Sequence, residues 1–221
     1  RGYINDLDIS SSKEEIIKII DDYDGLILRS RFKIDKYFID NASNLKFIAR
    51  VGSGLENIDC NYAKSKNIEV ISSPEGNSNA VGDHAMGLLL SLLNNINTSS
   101  NQVKNGLWFR EKNRGFEIEG KTVAILGMGN TGKSFAKKIS SFNCKVVFYD
   151  INEKIESKYA KKTSLDFLYK NADIVSLHLP FTTTTTDLFN KEFIQKFDKP
   201  FWLINTSRGK IVNTPDLVDA L

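Results

Sequence analysis

Apolar and polar positions along the chain follow two rhythms, one of helical spacing and one of short unbroken apolar runs. Ile16, Ile17, Ile19 and Ile20 follow Ser11-Ser12-Lys13-Glu14-Glu15, a capping residue with early acids, and predict a helix that Asp24-Gly25 breaks. Leu26-Ile27-Leu28 reads as a short buried strand ending in the polar run Arg29-Ser30-Arg31. The pattern then predicts a helix over 35–42, a strand over 45–51, a turn at Gly52-Ser53-Gly54, a helix over 57–66 and a strand over 68–71. Strand and helix alternate with short links, the signature of a parallel sheet with helices on both faces.

Ser72-Ser73-Pro74-Glu75-Gly76 is turn chemistry between two periodic regions and marks a hinge. Beyond it, residues 78–96 predict one long helix. It is apolar around much of its girth through Met86, Leu88, Leu89, Leu90, Leu92 and Leu93, and so requires burial on more than one side, in a core or between subunits. Residues 97–120 are polar and are expected to wrap the surface. A second α/β series starts at Lys121, with strands over 122–126, 145–150, 173–179 and 201–205 and helices over 131–142, 165–169 and 191–197. Residues 151–162 read as an exposed connection and 182–186, a threonine run, as an extended loop. The expected architecture is an α/β Rossmann-type doubly wound parallel sheet, over 77–221, with a second, smaller α/β domain over 1–76.

Composition narrows the function classes. The 221 residues are 41% hydrophobic and 26% charged, and the formal excess of +3 is spread over many lysines, so no nucleic-acid partner is expected. Cys60 and Cys144 stand far apart, which suits free thiols in a reducing compartment and a cytoplasmic location. With two His and two Cys placed singly, no metal site is expected. The richest apolar run, 86–93, is too short to span a bilayer. A chain that begins at Arg1 and stops at Leu221 in the first turns of a helix is expected to be a fragment.

The candidate chemistry centres on Val123-Ala124-Ile125-Leu126-Gly127-Met128-Gly129-Asn130-Thr131-Gly132-Lys133-Ser134, an apolar strand that stops at glycines and passes at once into a helix. Gly127, Gly129 and Gly132 fit G-x-G-x-x-G, a dinucleotide turn, and the same residues fit G-x-x-x-x-G-K-S, a P-loop that would make Lys133 and Ser134 nucleotide and magnesium ligands. Both place phosphate oxygens at a helix N-terminus. A dinucleotide site needs an acid about 20 residues on, at the end of the next strand. Asp150 lies 18 residues beyond Gly132 and ends that strand, whereas later strands end in His178-Leu179-Pro180 and Thr206-Ser207-Arg208 without an acid. The order of elements therefore favours a dinucleotide, and an acid at that place favours NAD over NADP.

Together, Arg50-Val51-Gly52-Ser53-Gly54-Leu55-Glu56-Asn57-Ile58-Asp59, Asn77-Ser78-Asn79-Ala80-Val81, Gly120-Lys121-Thr122, the glycine loop with Asp150, Ser176-Leu177-His178-Leu179-Pro180 and Ile204-Asn205-Thr206-Ser207-Arg208-Gly209 resemble the D-2-hydroxyacid dehydrogenase family over nearly the whole chain. Leu28-Arg29-Ser30-Arg31 looks most like its D-3-phosphoglycerate dehydrogenase branch, which implies a role in serine biosynthesis. The resemblance implies a flavodoxin-like first domain, an incomplete C-terminal end of the Rossmann sheet, and hydride transfer between NAD and a small 2-hydroxyacid. It implies that Gly127, Gly129, Asn130, Thr131, Gly132, Asp150, Thr206 and Ser207 meet the cofactor. Arg208 is the implied catalytic residue, holding the substrate carboxylate and polarising the carbonyl; Arg29, Ser30, Arg31, Ser53 and Gly54 are the implied substrate contacts. A homo-oligomer through the 78–96 helix is implied as well. The family's acid/base His and its acidic partner follow the Arg, and neither occurs in the thirteen residues after Arg208, so this stretch by itself is expected to be inactive. A non-catalytic NAD(H)-sensing module is the competing expectation.

Overall fold

The computed structural model describes residues 4–221. They fall into two compact units that meet at Asn77 and Ser78.

In the first unit, α1 (Lys13–Ile17) opens with the capping box that the sequence announces: Ser12 Oγ accepts from the Glu15 N–H, and the Glu15 carboxylate accepts from the Ser12 N–H. Strand β1 (Gly25–Leu28), α2 (Lys36–Asp40), β2 (Phe47–Arg50), α3 (Cys60–Ser65) and β3 (Glu69–Ser72) follow. The strands form a three-stranded parallel sheet in the order β1-β2-β3. Among the described residues the strands lie in chain order, without the order reversal of a flavodoxin-like sheet. Ile16, Leu28, Ile34, Phe38, Ile48 and Ile68 bury on one face. The expectation of cover on both faces fails here among the described residues, since Ile27 and Ile71, which share a register level through Ala49, remain 64% and 44% exposed.

In the second unit the expected long helix is broken. Helix α4 (Ser78–Leu93) ends, Asn95 takes a left-handed conformation at φ 52°, and α5 (Ile96–Lys104) carries the helix on into the polar segment expected to wrap the surface. Asparagine tolerates that conformation where a β-branched residue does not. Then come β4 (Thr122–Leu126), α6 (Asn130–Ile139), β5 (Lys145–Tyr149), β6 (Lys161–Lys162), α7 (Leu165–Asn171), β7 (Ile174–Leu177), α8 (Lys191–Ile194), β8 (Trp202–Asn205) and α9 (Thr214–Ala220). The two-residue β6, inside the charged connection, gave no periodic signal because its lysines sit at the sheet margin. The threonine run is not extended: it closes a turn in which Thr182 O accepts from Thr186 Oγ1 and Thr185 Oγ1 donates to Pro180 O.

All five strands are parallel, in the order β6-β5-β4-β7-β8. The chain reverses direction across the sheet between β4 and β7, which are neighbours, and this is the doubly wound order with its switch point between those two strands. Strand β4 shows why both faces are covered: Val123 and Ile125 join Leu89, Leu93, Phe135 and Ile139, while Ala124 and Leu126 join Leu168, Phe189 and Phe193. Helix α4 packs closely on α6, with Gly82 against the Ser134 side chain and the Lys138 ammonium 2.9 Å from Asp83 and 2.8 Å from Asn79 Oδ1.

Candidate functional site

The carboxyl ends of β4 and β7 meet at Gly127. Its φ of +90° is a conformation that an L side chain rarely adopts, and a Cβ there would stand 2.5 Å from the His178 carbonyl oxygen. The Gly127 N–H donates to Tyr149 O at 2.9 Å, which ties the turn to the end of β5. Two residues on, Gly129 is the N-cap of α6 and offers no side-chain cap; a Cβ there would meet open space. A Cβ on Gly132 would collide with the Gly127 carbonyl oxygen, so the helix can approach the strand end only without one. The first hydrogen bond of α6 runs from Lys133 N–H to Gly129 O, leaving the N–H groups of Asn130, Thr131 and Gly132 without intrahelical acceptors. That is an anion cradle at the positive end of a ten-residue helix.

The P-loop alternative does not fit this backbone. Helical structure has begun by Asn130, so no long loop remains between Gly127 and Lys133 to wrap a triphosphate. The Ser134 side chain faces Gly82 on α4.

Asp150 sits where the spacing predicts, and the structure adds a task. One carboxylate oxygen accepts from Met128 N–H at 2.7 Å and the other from Asn152 N–H at 2.8 Å. The acid therefore braces the glycine turn, and each oxygen keeps acceptor capacity for a ribose hydroxyl.

At the end of β8, Asn205, Ser207 and Arg208 form a clasp. Asn205 Nδ2 donates to Arg208 O at 3.0 Å and Asn205 Oδ1 accepts from Ser207 N–H at 3.0 Å. Ser207 Oγ donates to Leu177 O at 2.8 Å and accepts from Leu179 N–H at 2.9 Å, binding β8 to β7. Ser207 is thus engaged between strands with both its donor and an acceptor site. The side chain of Arg208 is exposed, and its Nη1 donates to Ser207 O at 2.8 Å. Among the described residues, Thr206 Oγ1 and Nδ1 of His178 are buried without a partner.

His178 follows directly on β7 in buried surroundings. It is 6% exposed, its Nε2 lies 2.9 Å from Ser176 Oγ, and burial pushes its pKa down to about 4. A ring neutral at every pH near 7 is poorly matched to acid/base exchange there. His84 is exposed on α4.

In the first unit, Arg29 and Ser30 are exposed at the carboxyl end of β1, and the Arg29 side chain engages no hydrogen bond or ion pair among the described residues. Arg31 is committed elsewhere. Its guanidinium pairs with the Asp8 carboxylate at 3.0 Å and donates to the carbonyl oxygens of Asp8 and Ser11. Hydrogen bonds from Ser11, then from Arg31, hold the Asp8 carboxyl well below the usual carboxylate range. Ser53 is exposed and Gly54 half-buried in the turn after β2. Arg50, to which sequence reasoning gave no role, ends β2 with a buried, unpartnered Nε, while its Nη1 reaches Val51 O at 3.2 Å and lies over Gly52. Its signal was position alone, a cation at a strand end.

Comparison with known proteins places this geometry. Residues 86–221 match the D-isomer specific 2-hydroxyacid dehydrogenase, NAD binding domain. The chain belongs to that family. Its relatives include a hydroxypyruvate reductase of Thermotoga maritima, 36% identical over 94% of this chain and 68% of the relative, and a D-3-phosphoglycerate dehydrogenase of Archaeoglobus fulgidus, 34% identical over 95% of this chain. The chain spans 40% of the length of the latter. An NAD-dependent formate dehydrogenase of Staphylococcus aureus, solved with NAD, superimposes with a TM-score of 0.81 at 32% identity over 94% of this chain and 64% of that one. The cofactor of this 2-hydroxyacid dehydrogenase domain is NAD, and the cradle fits it: the positive-φ turn, the uncapped helix and the acid ending β5 occupy the places that a dinucleotide requires. No helix among the described residues is long and apolar enough to cross a membrane.

Proposed function

We propose that this protein is an NAD-dependent dehydrogenase of 3-phosphoglycerate, acting in serine biosynthesis. The observation behind the substrate is Arg29, a cation without a partner among the described residues at the carboxyl end of a parallel strand, with Ser30 beside it and Arg50 ending the next strand. A phosphate calls for planar, always-charged donors, which Arg29 and Arg50 supply; Arg31 serves by fixing the loop around Asp8. Ser53 and Gly54 offer backbone N–H groups to the substrate carboxylate. NAD, when bound, supplies the acceptor for the hydride leaving the hydroxyl-bearing carbon. Asn130, Thr131 and Gly132 hold its pyrophosphate and Asp150 its adenosine ribose, with Thr206 beside the reacting end. Arg208 holds the carboxylate and polarises the neighbouring oxygen through paired N–H donors.

In the full-length protein, Arg29→Ala is expected to raise the KM for 3-phosphoglycerate by about ten- to a hundredfold, the worth of a charge-assisted hydrogen bond, and to leave the KM for an unphosphorylated 2-hydroxyacid within about threefold. Equal effects on both substrates would remove the phosphate role.

The same reading makes the protein a homo-oligomer through the α4–α5 region. Leu88, Leu92 and Ile96 recur at four-residue spacing and are 39%, 46% and 48% exposed, with Val103 of α5 at 54% and Trp108 beyond it at 78%. Leu88→Lys with Leu92→Lys is expected to convert the oligomer to monomer in sedimentation velocity and to shift Trp108 fluorescence to the red. A wild type that sediments as a monomer at micromolar concentration would refute it.

A further inference from the structure

Among the described residues, only Ser176 and His178 are buried polar side chains, at 0% and 6% exposure, and they are hydrogen-bonded to each other. Residues two apart on a strand share a face, so the hydroxyl and the ring project together under the first turns of α6. There His178 touches each part of the cofactor turn. Its N–H donates to Leu126 O at 2.8 Å, its carbonyl oxygen bounds the space at Gly127, and its Cβ lies 3.5 Å from the place of a Cβ on Gly132. The ring stacks on Phe135 with centroids 5.3 Å apart and an interplanar angle of 28°. An apolar side chain would fill this layer of Ile125, Met128 and Phe135 without leaving Nδ1 unpartnered. The polar pair is therefore costly as packing, and it sits against the one turn whose geometry the cofactor reads.

We infer that Ser176 and His178 are positioning residues for the cofactor: the Ser176 hydroxyl fixes the His178 ring against Phe135, and the fixed residue sets the height and tilt of the Gly127–Gly132 turn for a pyrophosphate. Neither residue touches the reacting atoms. The inference rests on the dehydrogenase reading above and adds to it a source of cofactor affinity.

The test is NADH binding by the 221-residue chain, followed by nicotinamide fluorescence, together with thermal unfolding. His178→Leu is expected to unfold at a higher temperature than wild type and yet to bind NADH at least about tenfold more weakly, since a small misplacement of a binding turn costs one to two orders of magnitude. Ser176→Ala is expected to weaken binding by a similar factor. His178→Gln, whose amide reaches the place of Nε2, is expected to stay within about threefold of wild type. A filler role predicts the same rise in stability for His178→Leu but with unchanged affinity. Unchanged affinity in Ser176→Ala and His178→Leu, with a wild type that binds, overturns the inference alone. If His178→Leu does not fold, Ser176→Ala decides. A wild type that does not bind NADH overturns the dehydrogenase reading and this inference with it.

Discussion

Gly127→Val is expected to abolish NADH binding, with Kd raised by about a thousandfold or more, and to lower the unfolding midpoint as well. Three causes act together. A β-branched residue at φ +90° carries backbone strain of about 1–3 kcal/mol. Its Cβ would stand 2.5 Å from the His178 carbonyl oxygen, so the ends of β4 and β7 must part. Parting them moves the Met128 N–H from the Asp150 carboxylate, the bond that braces the turn. Gly129→Ala is the control that separates folding from binding. That position has room for a methyl group, so the unfolding midpoint should stay, while the methyl intrudes where the pyrophosphate approaches and NADH affinity drops. Isothermal titration with NADH on both variants, beside their melting curves, checks the pair of outcomes. Retention of wild-type affinity in Gly127→Val would show that the cofactor does not use this turn.

In the full-length protein, Arg208→Ala is expected to lower kcat/KM by about a thousandfold, the effect of removing a charged group that holds the reacting oxygen in the transition state. Stability should change little, because the side chain is exposed and the backbone is held by Asn205 and Ser207, which the substitution leaves in place. NADH affinity should also persist, since the cradle lies on α6. Arg208→Lys is expected to recover only part of the loss, because an ammonium cannot present two parallel N–H donors to a carboxylate. Steady-state kinetics against direct cofactor binding separates these terms. A loss below about fivefold in kcat/KM would strip Arg208 of the catalytic role.

Between them, these variants cover the two halves of the proposed chemistry, and they differ in how far each was legible beforehand. The glycine turn was readable because its requirements are local: a strand ending at a residue that tolerates positive φ, a helix that starts without a capping side chain, and an acid one strand later. Capping at Ser12 and the apolar runs of β4 and β7 were readable for the same reason, since short-range periodicity decides them. The break between α4 and α5 was missed because the apolar pattern runs across it; Asn95 in a left-handed conformation ends the first helix while the hydrophobic face continues.

Side-chain destinations were another matter. Arg29 and Arg31 look equivalent in sequence, and only packing turns Arg31 toward Asp8, twenty-three residues away, leaving Arg29 without a partner among the described residues. The Ser207 hydroxyl joins the ends of β7 and β8, a task that its place in the motif did not announce. Ser134 completed a P-loop pattern on paper but faces Gly82 on α4. The Ser176–His178 pair stood in the sequence only as part of a family motif, and its hydrogen bond and stacking on Phe135 needed the fold. The sequence by itself determined the alternation of strand and helix, the family motifs and the backbone of the phosphate turn, all of which depend on residues near in chain. The tertiary structure alone decided which polar groups are free and which are consumed, because a long or hydroxylated side chain takes its partner from whichever strand end or helix packing brings within 3 Å.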